Sequence, residues 1–324
     1  MSTNSSGSHT ILITWPRFDP GDQRTAGRIR AAGYEVRHAP KHGPRSPEEL
    51  IRLLAGAVGA IASTDPFTAE VFAASPDLRV VARTGVGLDT IDLGAAAAAG
   101  VTILSTPGAN HDAGADHTLA LMLGVIRRLR ENDAAVRRKE WDRAGRFSGG
   151  ELTGANVGLV GFGRIGRAVA HRLEGFDVTI RVHDPGITSA DPHPLVSLGE
   201  LMSRSDVVSI HCPLTEATRH LIGEGEFNMA RPGLVLINTS RGGIVDEQAL
   251  VEALRSGAVA GAGLDVFEVE PPYKSEFLQM ENVTLSPHIA GLSGRSMAMM
   301  LDLAIDGVLD NLGVAAAPAT QPIE

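Results

Sequence analysis

Two consecutive series of short apolar strands alternating with helical stretches, together with a glycine-rich strand-to-helix turn at residues 161–166, predict an α/β protein. Its expected form is two parallel-sheet domains with a cleft between them. The length of 324 residues is enough for about two domains, each with its own core.

The first series runs over residues 10–105. It opens with an apolar strand at 10–14, a helix at 22–32 closed by Gly33, and a strand at 34–37. A helix follows at 46–55, with Ser46 as its cap, Pro47 in the first turn, and Glu48 and Glu49 where the helix dipole favours acids. Strands at 59–62, 78–82 and 101–104 continue the pattern until Thr106-Pro107-Gly108 breaks it. One long helix is expected over 113–131, apolar for most of its length and basic at its end.

The second series begins with a strand at 157–160, a helix at 164–173 and a strand at 178–182. Further strands are expected at 206–211, 234–238, 261–265 and 283–285, then a helix at 294–311 and a Pro/Ala tail. The domain reading is a disordered lead at 1–9, a substrate-binding domain at 10–106 plus 293–324, and a nucleotide-binding domain at 107–292. The two are expected to be Rossmann-like or flavodoxin-like sheets, which take ligands at the carboxyl ends of their strands.

Composition narrows the function classes. A net charge of −9 and a 43% hydrophobic content suggest neither a nucleic-acid face nor attraction to an anionic membrane. No run approaches the roughly 20 apolar residues of a membrane helix, and the first residues lack a signal pattern. The single cysteine, Cys212, cannot form an internal disulfide and fits a cytoplasmic protein. His111, His117, His183, His211 and His220 show no metal-ligand spacing, so no metal site is expected.

The strand at 157–160 runs into Gly161, Gly163 and Gly166, in G-x-G-x-x-G spacing. Gly161 is expected to make the tight turn, Gly163 to admit a pyrophosphate, and Gly166 to let helix pack on strand. The second strand ends at Asp184, 18 residues beyond Gly166. A carboxylate there accepts from a ribose 2′-OH and repels a 2′-phosphate, which points to NAD over NADP. Three loops after later strands carry groups able to handle an acid and a proton: 238–243 with Arg241, 265–271 with Glu268 and Glu270, and 286–291 with His288. An arginine forks onto a carboxylate. A histidine paired with a glutamate can donate a proton to a developing alkoxide. Taken singly, Arg241 reads more readily as a surface or capping arginine and His288 as a hydrogen-bonded structural histidine. Asp265 could cap a turn, and Cys212 could be core.

Seven segments in order resemble the D-isomer-specific 2-hydroxyacid dehydrogenase family, in its phosphoglycerate dehydrogenase-like branch without a C-terminal regulatory domain. They are T-G-V-G-L-D-T-I-D from Thr84, T-P-G-A-N from Thr106, the Gly161 turn, H-C-P-L-T-E-A-T-R-H-L-I from His211, N-T-S-R-G-G-I-V-D-E from Asn238, D-V-F-E-V-E-P from Asp265 and S-P-H-I-A-G from Ser286. The resemblance implies reversible hydride transfer between NAD(H) and a D-2-hydroxy acid, of phosphoglycerate, hydroxypyruvate or glyoxylate type. It implies catalytic roles for Arg241, Glu270 and His288, with Glu270 rather than Glu268 as the histidine's partner because it precedes the proline. Val86, Gly87 and Asn110 are implied as substrate contacts. Cofactor contacts are implied for Gly161, Gly163, Arg164, Ile165, Gly166, Asp184, Cys212, Pro213, Thr239, Asp265 and Gly291, with Asp265 at the nicotinamide carboxamide. A homodimer is also implied, to which Arg138, Lys139 and Arg143 could lend charge.

Asp116 stands where many members carry glutamate, a conservative departure. A phosphate-binding arginine often follows the third strand, where this chain has Ala62-Ser63-Thr64-Asp65. The missing cation and the acidic Asp65 count against a phosphorylated substrate. Formate dehydrogenases carry glutamine at the Glu270 position, which argues against that branch. The alternative from another class is an NAD(H)-sensing corepressor-like binding protein on the same fold.

Overall fold

The computed structural model describes residues 9–41, 43–143, 145 and 148–313. The expected lead, apart from His9, and the Pro/Ala tail lie outside the described residues. The chain divides into two compact units. One takes residues 9–110 and 293–313; the other is His111–Leu292.

The first unit runs β1 (Thr10–Ile13), α1 (Ala26–Ala31), β2 (Glu35–His38), α2 (Pro47–Leu54), β3 (Ala57–Ala62), α3 (Ala69–Ala73), β4 (Val80–Arg83), α4 (Leu93–Ala98) and β5 (Thr102–Leu104). The second runs α5 (His111–Ile126), α6 (Leu129–Arg137), β6 (Asn156–Val160), α7 (Arg164–Leu173), β7 (Thr179–His183), α8 (Leu198–Arg204), β8 (Val207–Ile210), α9 (Glu224–Met229), β9 (Leu234–Asn238), α10 (Glu247–Ser256), β10 (Val259–Leu264) and β11 (Val283–Leu285). The last helix, α11 (Gly294–Asn311), returns to the first unit.

Each unit is one parallel sheet. The order is β2-β1-β3-β4-β5 in the first and β11-β10-β9-β8-β6-β7 in the second. Parallel strands need both faces covered, and each sheet has an apolar cluster on either side. In the first unit, Ile305, Val308 and Leu309 of α11 join Ile11, Ile13 and Val80, while Leu50, Leu54 and Val71 pack with Leu12 and Val81. Alternate residues of one strand thus serve opposite faces, as period-two geometry requires.

The observed strands follow the expected series; helices α3, α4, α8, α9 and α10 are not singled out by the sequence, and two of the expected helices differ. The helix expected at 22–32 starts only at Ala26, because the Asp22 carboxylate accepts from Arg24 N–H at 2.9 Å and from the Thr25 hydroxyl at 2.8 Å. That local turn competes with helical hydrogen bonding. The single helix expected at 113–131 is two. Arg128 takes left-handed φ of 52°, and the Ile126 carbonyl accepts from Gly150 N–H at 3.0 Å instead of continuing the helix. The Asn132 amide then bonds the Arg128 carbonyl at 2.9 Å and steadies the break.

Candidate functional site

In the second unit, the cofactor and catalytic candidates sit at or just beyond the carboxyl ends of the strands. Gly161 follows β6, Asp184 follows β7, Cys212 and Pro213 follow β8, Thr239 and Arg241 follow β9, Asp265 follows β10, and His288 follows β11. Strand order reverses between β6 and β8, which makes this edge the usual ligand edge of such a sheet.

Gly161 has φ of 94°, and a Cβ there would fall 2.5 Å from Cys212 N, so the tight turn requires glycine. A Cβ at Gly166 would lie 2.3 Å from the Gly161 carbonyl oxygen, whereas one at Gly163 would meet no protein atom. The surface over Gly163 is therefore open to a ligand, at the amino end of α7, where Arg164 and Ile165 form the first turn. These features fit a dinucleotide pyrophosphate. Asp184 accepts from Phe162 N–H at 2.8 Å and Gly186 N–H at 2.9 Å, and lines a cavity of about 370 Å³ with Leu195, Val196 and Ser197. A larger cavity of about 590 Å³ lies at the opposite edge, around Val207, Val235 and Gly261, and contains none of the candidates.

Arg241 is held in extended backbone by Asn238, whose amide donates to the Arg241 carbonyl at 2.9 Å and whose oxygen accepts from Ser240 N–H at 3.0 Å. Its guanidinium also reaches the Ser240 carbonyl, at 2.8 Å. The next residue, Gly242, is forced by packing: a Cβ there would fall 1.9 Å from the Phe267 carbonyl carbon. The Arg241 loop therefore lies directly against the loop that carries Glu270.

Glu270 bridges two partners. One oxygen accepts from Phe267 N–H at 3.1 Å, fixing the side chain to its own loop; the other meets His288 Nδ1 at 2.7 Å. Both side chains are roughly one-third exposed. Glu268 points elsewhere, to His220 at 2.8 Å. With Nδ1 turned to a carboxylate, His288 keeps Nε2 for exchange with a substrate.

His288 has φ of 53°, in the left-handed region where a side chain is strained. Asp265 over-determines that turn. It is fully buried, and its carboxylate accepts from Ser286 Oγ at 2.6 Å, Ile289 N–H at 2.9 Å and Ala290 N–H at 2.7 Å. Its own carbonyl accepts from His288 N–H at 2.8 Å. Burial alone would raise the Asp265 pKa. The bonds from His117, Ser286, Ile289 and Ala290 outweigh burial and hold it below the ordinary carboxylate value. His117, structural by its sequence context, meets Ser286 Oγ at 2.8 Å and so completes this support. Beside the carboxamide role that the family resemblance implies, the geometry gives Asp265 a second task, building the turn that presents His288.

The other candidates are placed as follows. Thr239 shares a 2.9 Å hydroxyl bond with Thr118 of α5, and Gly291 ends the His288 loop. The Cys212 thiol is pushed up to about 11, chiefly by burial, so it is not a nucleophile near neutral pH. In the first unit, Val86 and Gly87 follow β4 and Asn110 follows β5. Their loops are tied where Gly85 N–H donates to Thr106 Oγ1 at 2.9 Å and Thr106 N–H to the Gly85 carbonyl at 3.0 Å. Arg83, not singled out from sequence, lies with its guanidinium over Gly85. The reading of Asp65 as a repelling acid needs correction. Asp65 is buried, paired with Arg45 Nε at 2.8 Å and bonded by Thr14, so its charge is neutralised inside the protein. Among the described residues no group of three or more His, Cys, Asp or Glu side chains is placed to hold a metal.

The chain is similar to known proteins along most of its length. The family model described as D-isomer specific 2-hydroxyacid dehydrogenase, NAD binding domain, matches residues 119–290. A glyoxylate reductase from Thermococcus litoralis is 41% identical over 256 residues, covering 76% of this chain and 77% of its own. A D-3-phosphoglycerate dehydrogenase from Mycobacterium leprae is 37% identical over 300 residues, covering 91% of this chain but only 56% of its own length. The crystal structure of the TT0316 protein from Thermus thermophilus superposes with a TM-score of 0.88 at 38% identity, over 95% of this chain and 98% of its own. The chain belongs to the D-isomer specific 2-hydroxyacid dehydrogenase family and is an NAD-binding oxidoreductase of it.

Proposed function

We propose that the protein interconverts a D-2-hydroxy acid and its 2-oxo acid, with Arg241, Glu270 and His288 as the reacting constellation. The observation that carries this is the 2.7 Å His288–Glu270 bond, beside the Arg241 loop on the strands' carboxyl edge. When bound, the nicotinamide supplies or takes up the hydride. Arg241 forks onto the substrate carboxylate and so fixes which face of C2 is presented. His288 Nε2 gives its proton to the oxygen on C2 in reduction and removes it in oxidation, while Glu270 holds the ring's orientation through Nδ1. Substrate contacts at Val86, Gly87 and Asn110 belong to the same proposal.

Reduction needs His288 protonated and oxidation needs it neutral. Oxidation is therefore favoured at higher pH. The expected carboxylate at Asp184 supports NAD over NADP. Just after β3, the Arg45–Asp65 pair is already satisfied, since Arg45 also bonds Glu49 and the Ala39 carbonyl. That favours the unphosphorylated members, glyoxylate and hydroxypyruvate, over a phosphorylated acid. Leu129, Val136 and Trp141 expose large apolar surface on and after α6, which supports a homodimer. No helix among the described residues is long and apolar enough to cross a membrane; cytoplasmic residence rests on the single cysteine of the sequence.

The test is NADH oxidation by purified protein with glyoxylate, hydroxypyruvate, pyruvate and 3-phosphohydroxypyruvate. Turnover with at least one is expected, fastest with an unphosphorylated acid. NADH binding with no turnover across the panel would favour the NAD-sensing alternative.

A further inference from the structure

A second imidazole–carboxylate pair lies beside the one proposed to react. His220 Nε2 meets Glu268 Oε1 at 2.8 Å, and Glu268 is two residues from Glu270 on the same loop. A third carboxylate holds that loop from behind: Glu247, the first residue of α10, accepts from Glu268 N–H at 2.7 Å. Asp246 caps the same helix by accepting from Ala249 N–H at 3.0 Å, so Glu247 is not needed as a cap. Its oxygen is committed to the loop.

We propose that Glu247 is a positioning residue for the Glu270–His288 pair, anchoring through Glu268 N–H the loop that carries Glu270 and setting a third carboxylate against that loop. The inference rests on the acid/base reading of His288 given above. The charged groups facing Glu247 are Glu268 and Glu270 from the loop after β10. Glu268 in turn faces His220, from the loop before α9, and Glu270 faces His288. Arg219 lies over Gly243 and Arg241 precedes Gly242, both on the adjoining loop. Three carboxylates thus share this corner. Burial, then the charges of Glu268 and Glu270, hold the Glu247 pKa above the ordinary glutamate value despite the bond from Glu268 N–H.

Substitution separates the two roles. Glu247→Gln keeps an oxygen to accept from Glu268 N–H and removes the charge; Glu247→Ala removes both. For Glu247→Gln, the pH at which kcat/KM of the reducing reaction falls to half should move down by about half a pH unit, a shift typical of one charge acting across several ångströms near a surface. Glu247→Ala should in addition lose turnover at every pH, and restoring Gln at 247 should recover most of it. A Glu247→Gln profile that superimposes on the wild-type profile would overturn the proposal, as would wild-type turnover in Glu247→Ala. Full activity of a His288→Ala variant would instead remove the reading on which it rests, so the two failures are distinguishable.

Discussion

Asp265→Asn is the substitution whose consequences the structure defines most closely. The carboxylate is buried and accepts from one hydroxyl and two backbone N–H groups, with His117 at 3.5 Å. An asparagine can keep its oxygen toward Ser286 and Ile289. Its amide nitrogen must then face Ala290 N–H, placing two donors together where a charged acceptor stood. Losing one charge-assisted bond and leaving a buried donor unsatisfied costs about 3 kcal/mol. Because these bonds hold the turn in which His288 has positive φ, the loss should reach activity too. Denaturant unfolding at neutral pH should show that loss, and kcat should fall at least tenfold. Acid should then erase the difference. The folded pKa of Asp265 is depressed, so its contribution is present above the ordinary carboxylate value of 3.8 and is lost as pH falls through the folded value. The stability gap between wild type and variant should therefore shrink in strong acid. A variant within about 0.5 kcal/mol of wild type at neutral pH, with unchanged kcat, would refute the assignment of Asp265 as the support of the His288 turn.

Three further outcomes follow from the same geometry. Arg241→Lys keeps the charge but loses the planar fork, so KM for the 2-oxo acid should rise roughly tenfold or more while NADH affinity holds; steady-state kinetics with separate NADH titration checks this. Asp184→Ala should narrow the preference for NADH over NADPH, read as the ratio of the two kcat/KM values; an unchanged ratio would count against the ribose assignment. His211 has its ring nitrogens inside, with Nδ1 lacking a partner, and burial depresses its pKa to about 3. Its neutral form is the folded one, so stability should fall as pH drops below 6.5, by up to about 1.4 kcal/mol per pH unit, and His211→Asn should flatten that slope.

Much of the fold is legible in the sequence because its signals are local. Most strands of both sheets are short apolar runs bounded by turn residues. Helices α2 and α11 carry serine caps, and α7 follows directly on the Gly161–Gly163 turn with an apolar stripe of its own. Helices α3, α4, α8, α9 and α10 escape such a reading; α4 is L-G-A-A-A-A, which has no apolar periodicity to detect. The break at Arg128 depends on Gly150 capturing the Ile126 carbonyl, a contact between residues far apart in sequence. The same limit applies to the site. Arg241, Glu270 and His288 stand out through the motifs around them. Their supports do not: His117 reaches Ser286 across 169 positions, and Glu247 reaches Glu268 from another element. Asp65 misleads for this reason too, since its neutralising partner Arg45 lies on a different loop.

The most direct measurement is turnover and NADH affinity of His288→Ala measured side by side, using the best 2-oxo acid found in the panel. Loss of at least roughly a thousandfold in kcat, with NADH affinity within a factor of about three, is the predicted result for an imidazole that moves the proton and leaves the cofactor's binding alone. Near-normal kcat in that variant would contradict the account.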